Sequence, residues 1–169
     1  MKKNMIKMGN DYTSMVPIFR DLVLKSGAKQ GVNLIWAGCP GNCYAMATFF
    51  SFGLRDLGLN LYFAVNADIN NLWRLEYIKK LGMIATKKEE PLKAEIIILM
   101  SGLLKVPFEK ILNLTRVALT DEGAIIGETV VPELFEKEKW DERIPFRFIF
   151  EFSMVSPTSF EITSTSSGE

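Results

Sequence analysis

The fold of this chain is decided by residues 32–43, which read VNLIWAGCPGNC. Residues 32–37 form a short apolar run that ends at a glycine, which is typical of a β-strand buried on both faces. Residues 38–43 form a tight turn, and Asn42 can cap a helix that runs to Leu57. A buried strand that leads through a turn into a helix is the opening of a βαβ unit.

Helical and strand patterns alternate on both sides of this unit. A helix is predicted at 13–25, and buried strands are predicted at 59–65, 83–86, 96–100 and 124–127. Asp68 caps a predicted helix that Gly82 closes, and Pro107 starts another. With right-handed crossovers, these elements predict a Rossmann-like, three-layer, doubly wound sheet that is mostly parallel. The expected order of the five strands is 3-2-1-4-5, which places Ile35, Phe63 and Ile97 on adjacent parallel strands in the core.

The C-terminal part has a different periodicity. Apolar residues alternate with polar ones and are expected on one face of a strand: Phe146, Phe148, Phe150, Phe152 and Met154. A period of two predicts a half-exposed antiparallel strand at the edge of the sheet, with room for a homodimer contact. Another short strand is expected at 159–163, and the Ser/Thr-rich residues 163–169 are expected to form a flexible tail. The sequence contains no segment typical of an interdomain linker, so residues 1–169 are predicted to be one domain.

Composition removes several classes of function. The 20 Lys and Arg residues balance 20 Asp and Glu residues, so the basic surplus of a nucleic-acid-binding surface is missing. The chain has no histidine, which excludes imidazole bases and His-ligated metals within one chain. Cys39 and Cys43 are too few for a four-cysteine metal site, so no metal is expected, and they favour a reducing compartment over a secreted protein.

A membrane span is also not expected. No charged residue occurs at positions 30–54, but Gly38, Pro40 and Gly41 interrupt this stretch and would break a spanning helix. The N-terminal residues do not form the apolar core of a signal peptide.

Candidate site residues follow the predicted strands at their carboxyl ends, where open α/β sheets bind ligands. They are Gly38, Cys39, Gly41, Asn42 and Cys43 after the first strand, Asn66 after the second, Ser101 and Gly102 after the fourth, and Glu128 after the fifth. Glycines allow a ligand to approach the backbone, and the free N–H groups of a helix start suit an anion. The pattern favours a small anionic or nucleotide-like ligand.

No particular cofactor is indicated. Gly38 and Gly41 lack the third glycine of a dinucleotide fingerprint and the Gly-Lys-Ser/Thr ending of a phosphate-binding loop. A tight strand-to-helix turn needs the same residues for structural reasons alone. Glu128 is expected to be a carboxylate with a raised pKa, without a second carboxylate to complete an acid–base pair.

Cys43 can be a nucleophile or a structural residue. The helix dipole lowers the pKa of a thiol there by less than about one unit, whereas burial raises the pKa. We therefore expect an ordinary or raised thiol pKa and a structural role. A redox couple with Cys39 and a thiol enzyme that uses Cys43 are the alternatives.

Three short segments resemble a known family. Residues 38–43 are similar to the Gly-x-Pro-Gly-x-Cys turn of domain of unknown function family 2124, a small archaeal family found mostly in methanogens. Residues 101–103, leading into Pro107, resemble its Gly-Gly-Leu segment, with Ser101 in place of a glycine. The region around Phe135 and Trp140 resembles its C-terminal part. The similarity spans about residues 32–162, although Tyr44 and Ala45 stand where the family usually has Thr-Pro. The resemblance implies a Rossmann-like fold and a cytoplasmic archaeal protein, and it implies no activity.

Three functional hypotheses follow from these patterns. The first is a protein that binds a small anionic or nucleotide-like ligand at the carboxyl edge of the sheet. The second is a homo-oligomeric interaction module without a ligand, and the third is the thiol enzyme.

Overall fold

The computed structural model describes residues 4–9 and 11–152, so Met154, the strand expected at 159–163 and the tail expected at 163–169 lie outside the described residues. The helices and strands are α1 (Met15–Lys25), β1 (Asn33–Gly38), α2 (Asn42–Phe52), β2 (Asn60–Val65), β3 (Leu72–Ile78), β4 (Gly82–Glu89), β5 (Ala94–Met100), α3 (Phe108–Ala118), β6 (Leu119–Thr129), α4 (Leu134–Lys137) and β7 (Phe146–Glu151). Short 3₁₀ helices occur at Tyr12–Ser14, Ser101–Lys105 and Trp140–Glu142.

The strands form one mixed sheet of seven, in the order β4-β3-β2-β1-β5-β6-β7. Five adjacent strands run parallel to one another, in the order β2, β1, β5, β6 and β7. Strand β3 is antiparallel to both of its neighbours, β2 and β4. An α/β fold with a mostly parallel sheet is therefore confirmed. Ile35, Phe63 and Ile97 lie on adjacent parallel strands and are buried, as predicted.

The antiparallel edge lies at the opposite end of the sheet from the one predicted. Strand β7 runs parallel to β6. Alternation of polar and apolar residues reports a partly exposed strand and carries no information about strand direction. Direction is set by the connection, and the segment that contains α4 and Trp140–Glu142 is long enough for the crossover that parallel strands need.

A second correction concerns the segment after Asp68, which forms strand β3 instead of the predicted helix. The Asp68 carboxylate accepts the backbone N–H of Asn70 at 3.0 Å within a turn, and no helix begins there. Lys80 and Gly82 have positive φ angles of 75° and 89° and form the turn between β3 and β4. Hairpin pairing with β4 outweighs the weak helical spacing of the apolar residues.

The sheet has an apolar cluster on each face. On one face, α1 and α2 pack through stacked and tilted aromatic rings, in which Phe19 lies 5.2 Å from Trp36 and 4.7 Å from Phe50 between centroids. On the other face, α3 and α4 pack over the same strands with Phe135 and Trp140. Helices therefore cover β1 and β5 on both sides, which explains the almost wholly apolar sequence of these strands.

The C-terminal phenylalanines do not share one face. Phe150 and Phe152 are buried with α1 and α2, whereas Phe146 lies on the opposite face, 4.8 Å from the ring of Phe135. A register shift between Ile125 and Ile126 accounts for the change of face.

No helix in residues 4–9 and 11–152 combines the length and the apolar character needed to cross a bilayer.

Candidate functional site

The loops after three parallel strands enclose an open groove of about 410 Å³ at the carboxyl edge of the sheet. Its walls are formed by Cys39 after β1, Asn66 after β2, and Gly102, Lys105, Val106, Pro107 and Lys110 after β5. The loops after β1 and β2, which are consecutive strands, and the loop after β5, which is separated from them by β3 and β4, thus contribute to one concave surface.

The two cysteines lie side by side at this groove. Cys39 follows the last residue of β1, Pro40 starts the turn, and Cys43 is the second residue of α2. This short connection places the two Sγ atoms 3.1 Å apart, within hydrogen-bond distance for sulfur. The Cys39 side chain is half-buried and lines the groove, whereas Cys43 is buried behind it.

Two glycines provide the space that the sulfur atoms occupy. A Cβ atom on Gly102 would overlap Cys43 Sγ and would lie 3.0 Å from Cys39 Sγ. A Cβ atom on Gly38 would overlap the Cys43 side chain and lie 3.0 Å from Met100 Sδ. Only glycine at these two positions lets the cysteine side chains pack directly against the backbone, whatever the φ angles of the two residues.

The pKa values of the two thiols move in opposite directions. Burial raises the pKa of Cys39, but hydrogen bonds with the backbone and thiol of Cys43 and with the backbone of Gly41 outweigh it and lower that pKa below its ordinary value. Burial, together with the hydrogen bond to Cys39, raises the pKa of Cys43 to about 12. The raised pKa of Cys43 agrees with the prediction from sequence, and the more acidic thiol is Cys39.

Glu128 lies inside β6, one residue before its end, and not after the strand as predicted. It pairs in register with Met100 of β5 and is only 3% exposed. Burial raises the pKa of this carboxyl to about 7, against a hydrogen bond from the Ser101 backbone that lowers it. Its negative charge also raises the pKa of Cys43, so the carboxyl and the thiol lie near each other.

Asn66 closes the groove on the β2 side. Asn66 and Ala67 have φ angles of 53° and 54°, and the Asn66 N–H donates to the Gly38 carbonyl at 2.8 Å. This bond ties the turn after β2 to the end of β1. Beside it, Lys110 Nζ lies 3.3 Å from the Asp68 carboxylate.

The structure brings most of the predicted site residues together. Cys39, Asn66 and Gly102 line the groove, Gly38 and Cys43 lie behind its wall, and Gly41 and Ser101 contribute backbone hydrogen bonds. Asn42 does not take part. It is exposed as the first residue of α2, and Gly41 occupies the capping position without a side-chain hydrogen bond.

Four lining residues were not among those predicted, namely Lys105, Val106, Pro107 and Lys110. The signal for them was present in the sequence. Two lysines flank Pro107 directly after a strong buried strand, at the edge where ligands bind.

In the part of the chain that the structure describes, no three His, Cys, Asp or Glu side chains come together in a way that could hold a metal ion.

These features define an α/β protein with a dithiol and a groove at the carboxyl edge of a mixed seven-stranded sheet. The chain belongs to the family described as uncharacterized protein conserved in archaea (DUF2124), which matches residues 12–155. This confirms the resemblance seen in the sequence.

A solved structure shares the fold. The crystal structure of a protein of unknown function from Methanothermobacter thermautotrophicus is similar with a TM-score of 0.80 and 20% sequence identity, over 95% of this chain and 100% of that chain. No curated protein matches this sequence.

Proposed function

We propose that this protein binds a small anionic or nucleotide-like ligand in the groove at the carboxyl edge, within a Rossmann-like, doubly wound arrangement. One observation carries the proposal: the loops after β1, β2 and β5 meet in a groove that also presents Lys105 and Lys110.

The topology supports this location. Strand β1 leads into α2 on one face of the sheet, and its neighbour β5 leads into α3 on the opposite face. Adjacent strands whose connections leave to opposite faces open a crevice at their carboxyl ends, where open α/β sheets bind ligands.

The charges at the groove favour an anion. Lys105 is exposed, and Lys110 is half-buried beside Asp68. Helix α3 begins at Phe108, next to both lysines, and the positive end of its dipole faces the same region. Phosphate and carboxylate groups are the ligand groups that fit two ammonium groups and a helix start.

A panel of nucleotides and small phosphorylated or carboxylated compounds tests the proposal by thermal unfolding. A ligand at about 100 times its Kd adds about 2.7 kcal/mol to the free energy of unfolding. For a chain of this size the melting temperature then rises by about 5–10 °C. Lys105→Ala and Lys110→Ala should each reduce the shift.

Lys29→Ala is the matched control, because Lys29 is exposed and precedes β1 at the opposite edge of the sheet. If no compound of the panel shifts the melting temperature, or if the Lys29→Ala variant loses the shift as the groove variants do, the groove is not an anion site.

A homodimer through β7 is the alternative function. Among the described residues, β7 is the last strand of the sheet and pairs with β6 alone. Phe150 and Phe152 pack into the protein's own core, which leaves Phe146 and Phe148 as the partly exposed members of the apolar series. Light scattering at tens of micromolar would show a dimer mass if the edge pairs with a second copy.

A thiol enzyme that uses Cys43 as its nucleophile has less support. Cys43 is buried, and its raised pKa keeps it protonated at neutral pH.

A further inference from the structure

We infer that Cys39 and Cys43 form a dithiol that exchanges with small disulfides at the groove, with Cys39 as the attacking sulfur and Cys43 as the resolving sulfur. This activity goes beyond the binding of an anion and needs only access to Cys39.

Access differs between the two sulfur atoms. Cys39 lines the groove, whereas Cys43 is 6% exposed and lies behind Cys39 and Gly102. A small disulfide in the groove therefore meets Cys39 first. Gly102 packs directly against the sulfur pair, and the side of Cys39 that lines the groove remains accessible.

Backbone donors surround the sulfur atom that is accessible. The backbone N–H groups of Gly41 and Cys43 donate to Cys39, and the Cys43 thiol lies 3.1 Å away. Hydrogen bonds of this kind stabilise a thiolate, which is the nucleophile in disulfide exchange. Burial outweighs the one backbone hydrogen bond that Cys43 receives, from Cys39, and the raised pKa keeps Cys43 a neutral thiol in the reduced protein.

The distance between the sulfur atoms allows a disulfide to close. They are 3.1 Å apart, so bonding needs an approach of about 1 Å. The turn that links them, residues 40–42, is exposed, and there is open space around Gly41. A small movement of this turn can bring Cys39 to Cys43 without disturbing β1 or the body of α2.

The chemistry balances with a low-molecular-weight disulfide, R–S–S–R, as the oxidant. The Cys39 thiolate attacks one sulfur, the S–S bond of the oxidant breaks, and a mixed disulfide and R–S⁻ result. The R–S⁻ takes the proton that Cys39 had released. In the mixed disulfide the charge of Cys39 no longer raises the pKa of Cys43. Cys43 gives its proton to water and attacks Cys39 Sγ as a thiolate, and the second R–S⁻ takes up a proton from water as it leaves. One intramolecular disulfide and two R–SH molecules are formed, so the protein loses two electrons and two protons.

The test uses the reduced full-length chain with glutathione disulfide at pH 7, followed by intact-mass spectrometry. The wild-type protein should pass through a single glutathione adduct and end two hydrogen atoms lighter than the reduced chain, with no adduct retained. Peptide mapping should find the bond between Cys39 and Cys43.

Two single variants separate the roles of the sulfur atoms. Cys43→Ser should stop at one stable adduct on Cys39. Cys39→Ser should react more slowly than Cys43→Ser by roughly tenfold or more, because its remaining thiol is buried and protonated. Circular dichroism spectra of both variants show whether they are folded. Cys43→Ala is a second variant without the resolving sulfur, and it should stop at the same adduct as Cys43→Ser.

Several results would overturn the inference. They are a wild-type chain that keeps two glutathione adducts, a wild-type chain that does not react, and a Cys39→Ser variant that reacts as fast as Cys43→Ser. None of these results touches the anion-binding proposal, because the variants retain Lys105 and Lys110 and the panel of ligands can be measured on each of them.

Discussion

At the scale of single residues, Glu128 is the least ordinary member of the site. It is a carboxyl buried in β6 between Met100 of β5 and Phe150 of β7, and it accepts a hydrogen bond from the Ser101 backbone. Burial raises its pKa from 4.5 to about 7, so the folded protein holds a proton that the unfolded chain releases at lower pH.

This difference makes stability depend on pH in a defined direction. The protonated Glu128 carboxyl stabilises the folded state relative to the ionised form. This stabilisation is fully present below pH 4.5 and is lost as the pH rises to about 7, which lowers the free energy of unfolding by roughly 3 kcal/mol. Denaturant titrations from pH 5 to 8 should show this fall in the wild type and a flatter profile in Glu128→Gln.

Glu122→Gln is the matched control, because Glu122 lies on the same strand and is exposed. Its profile should follow the wild type. A Glu128→Gln profile that falls as steeply as the wild type would mean that another group causes the pH dependence.

Residue types predicted one part of the site well and another poorly. Cys39, Gly102 and Asn66 could be found because glycine, cysteine and asparagine stand out directly after apolar strands. Lys105 and Lys110 could not be singled out in the same way, because lysine is common on surfaces. Their meaning depends on where the 3₁₀ helix at Ser101–Lys105 and the start of α3 place them.

At the scale of elements, the antiparallel hairpin of β3 and β4 is joined to α2 through Tyr44. Leu75 pairs with Ala85 and Arg74 pairs with Lys87, so Thr86 is an extra residue in β4. The Ala85 N–H next to this irregularity donates to the Tyr44 hydroxyl at 2.9 Å. Helix α2 therefore supplies the acceptor for a backbone donor at the bulge.

Tyr44→Phe tests this contact. Loss of the acceptor leaves a partly buried N–H without its partner, which should reduce the free energy of unfolding by about 1 kcal/mol. Tyr77→Phe serves as the control, because the Tyr77 side chain is about half exposed on β3 and should change stability little. Equal urea midpoints for the Tyr44→Phe variant and the wild type would show that water replaces the hydroxyl at no cost.

Elements differ in how far the sequence could predict them. The strands β1, β2 and β5 and the buried part of β6 at 124–127 were predicted, because strands covered on both faces are short apolar runs. The first half of β6, from Leu119, was missed because it is polar and partly exposed. Strand β3 was missed because Leu72, Trp73 and Ile78 also fit a helical spacing, and only pairing with β2 and β4 decides between the two structures. The direction of β7 was missed because alternation is the same for both strand directions.

At the scale of the whole molecule, stability should be greatest at the centre of the sheet. Strands β1 and β5 are neighbours, and apolar clusters cover both of their faces. Strands β4 and β7 lie at the two ends of the described sheet, and each pairs with one neighbour. Opening of the edges should cost less free energy than opening of the centre.

Hydrogen exchange can measure this gradient. Amides of β1 and β5 should exchange only through global unfolding, whereas those of β4 and β7 should exchange faster through local opening. Protection in β4 equal to that in β5 would contradict this ranking.

The pairing of β1 with β5 has a consequence for how the chain reaches its native state. Leu34 pairs with Ile96, although β2, β3 and β4 lie between the two strands in the chain. The β2–β3–β4 series pairs consecutive strands and can form from local encounters, but the central pair requires closure of a long loop, whose entropic cost comes before any contact is gained. The local turn already holds the two cysteines close together, but Gly102 reaches them only when that loop has closed. The loop after β5 therefore covers the sulfur pair late in folding, and until then both thiols are open to solvent in the half-paired chain.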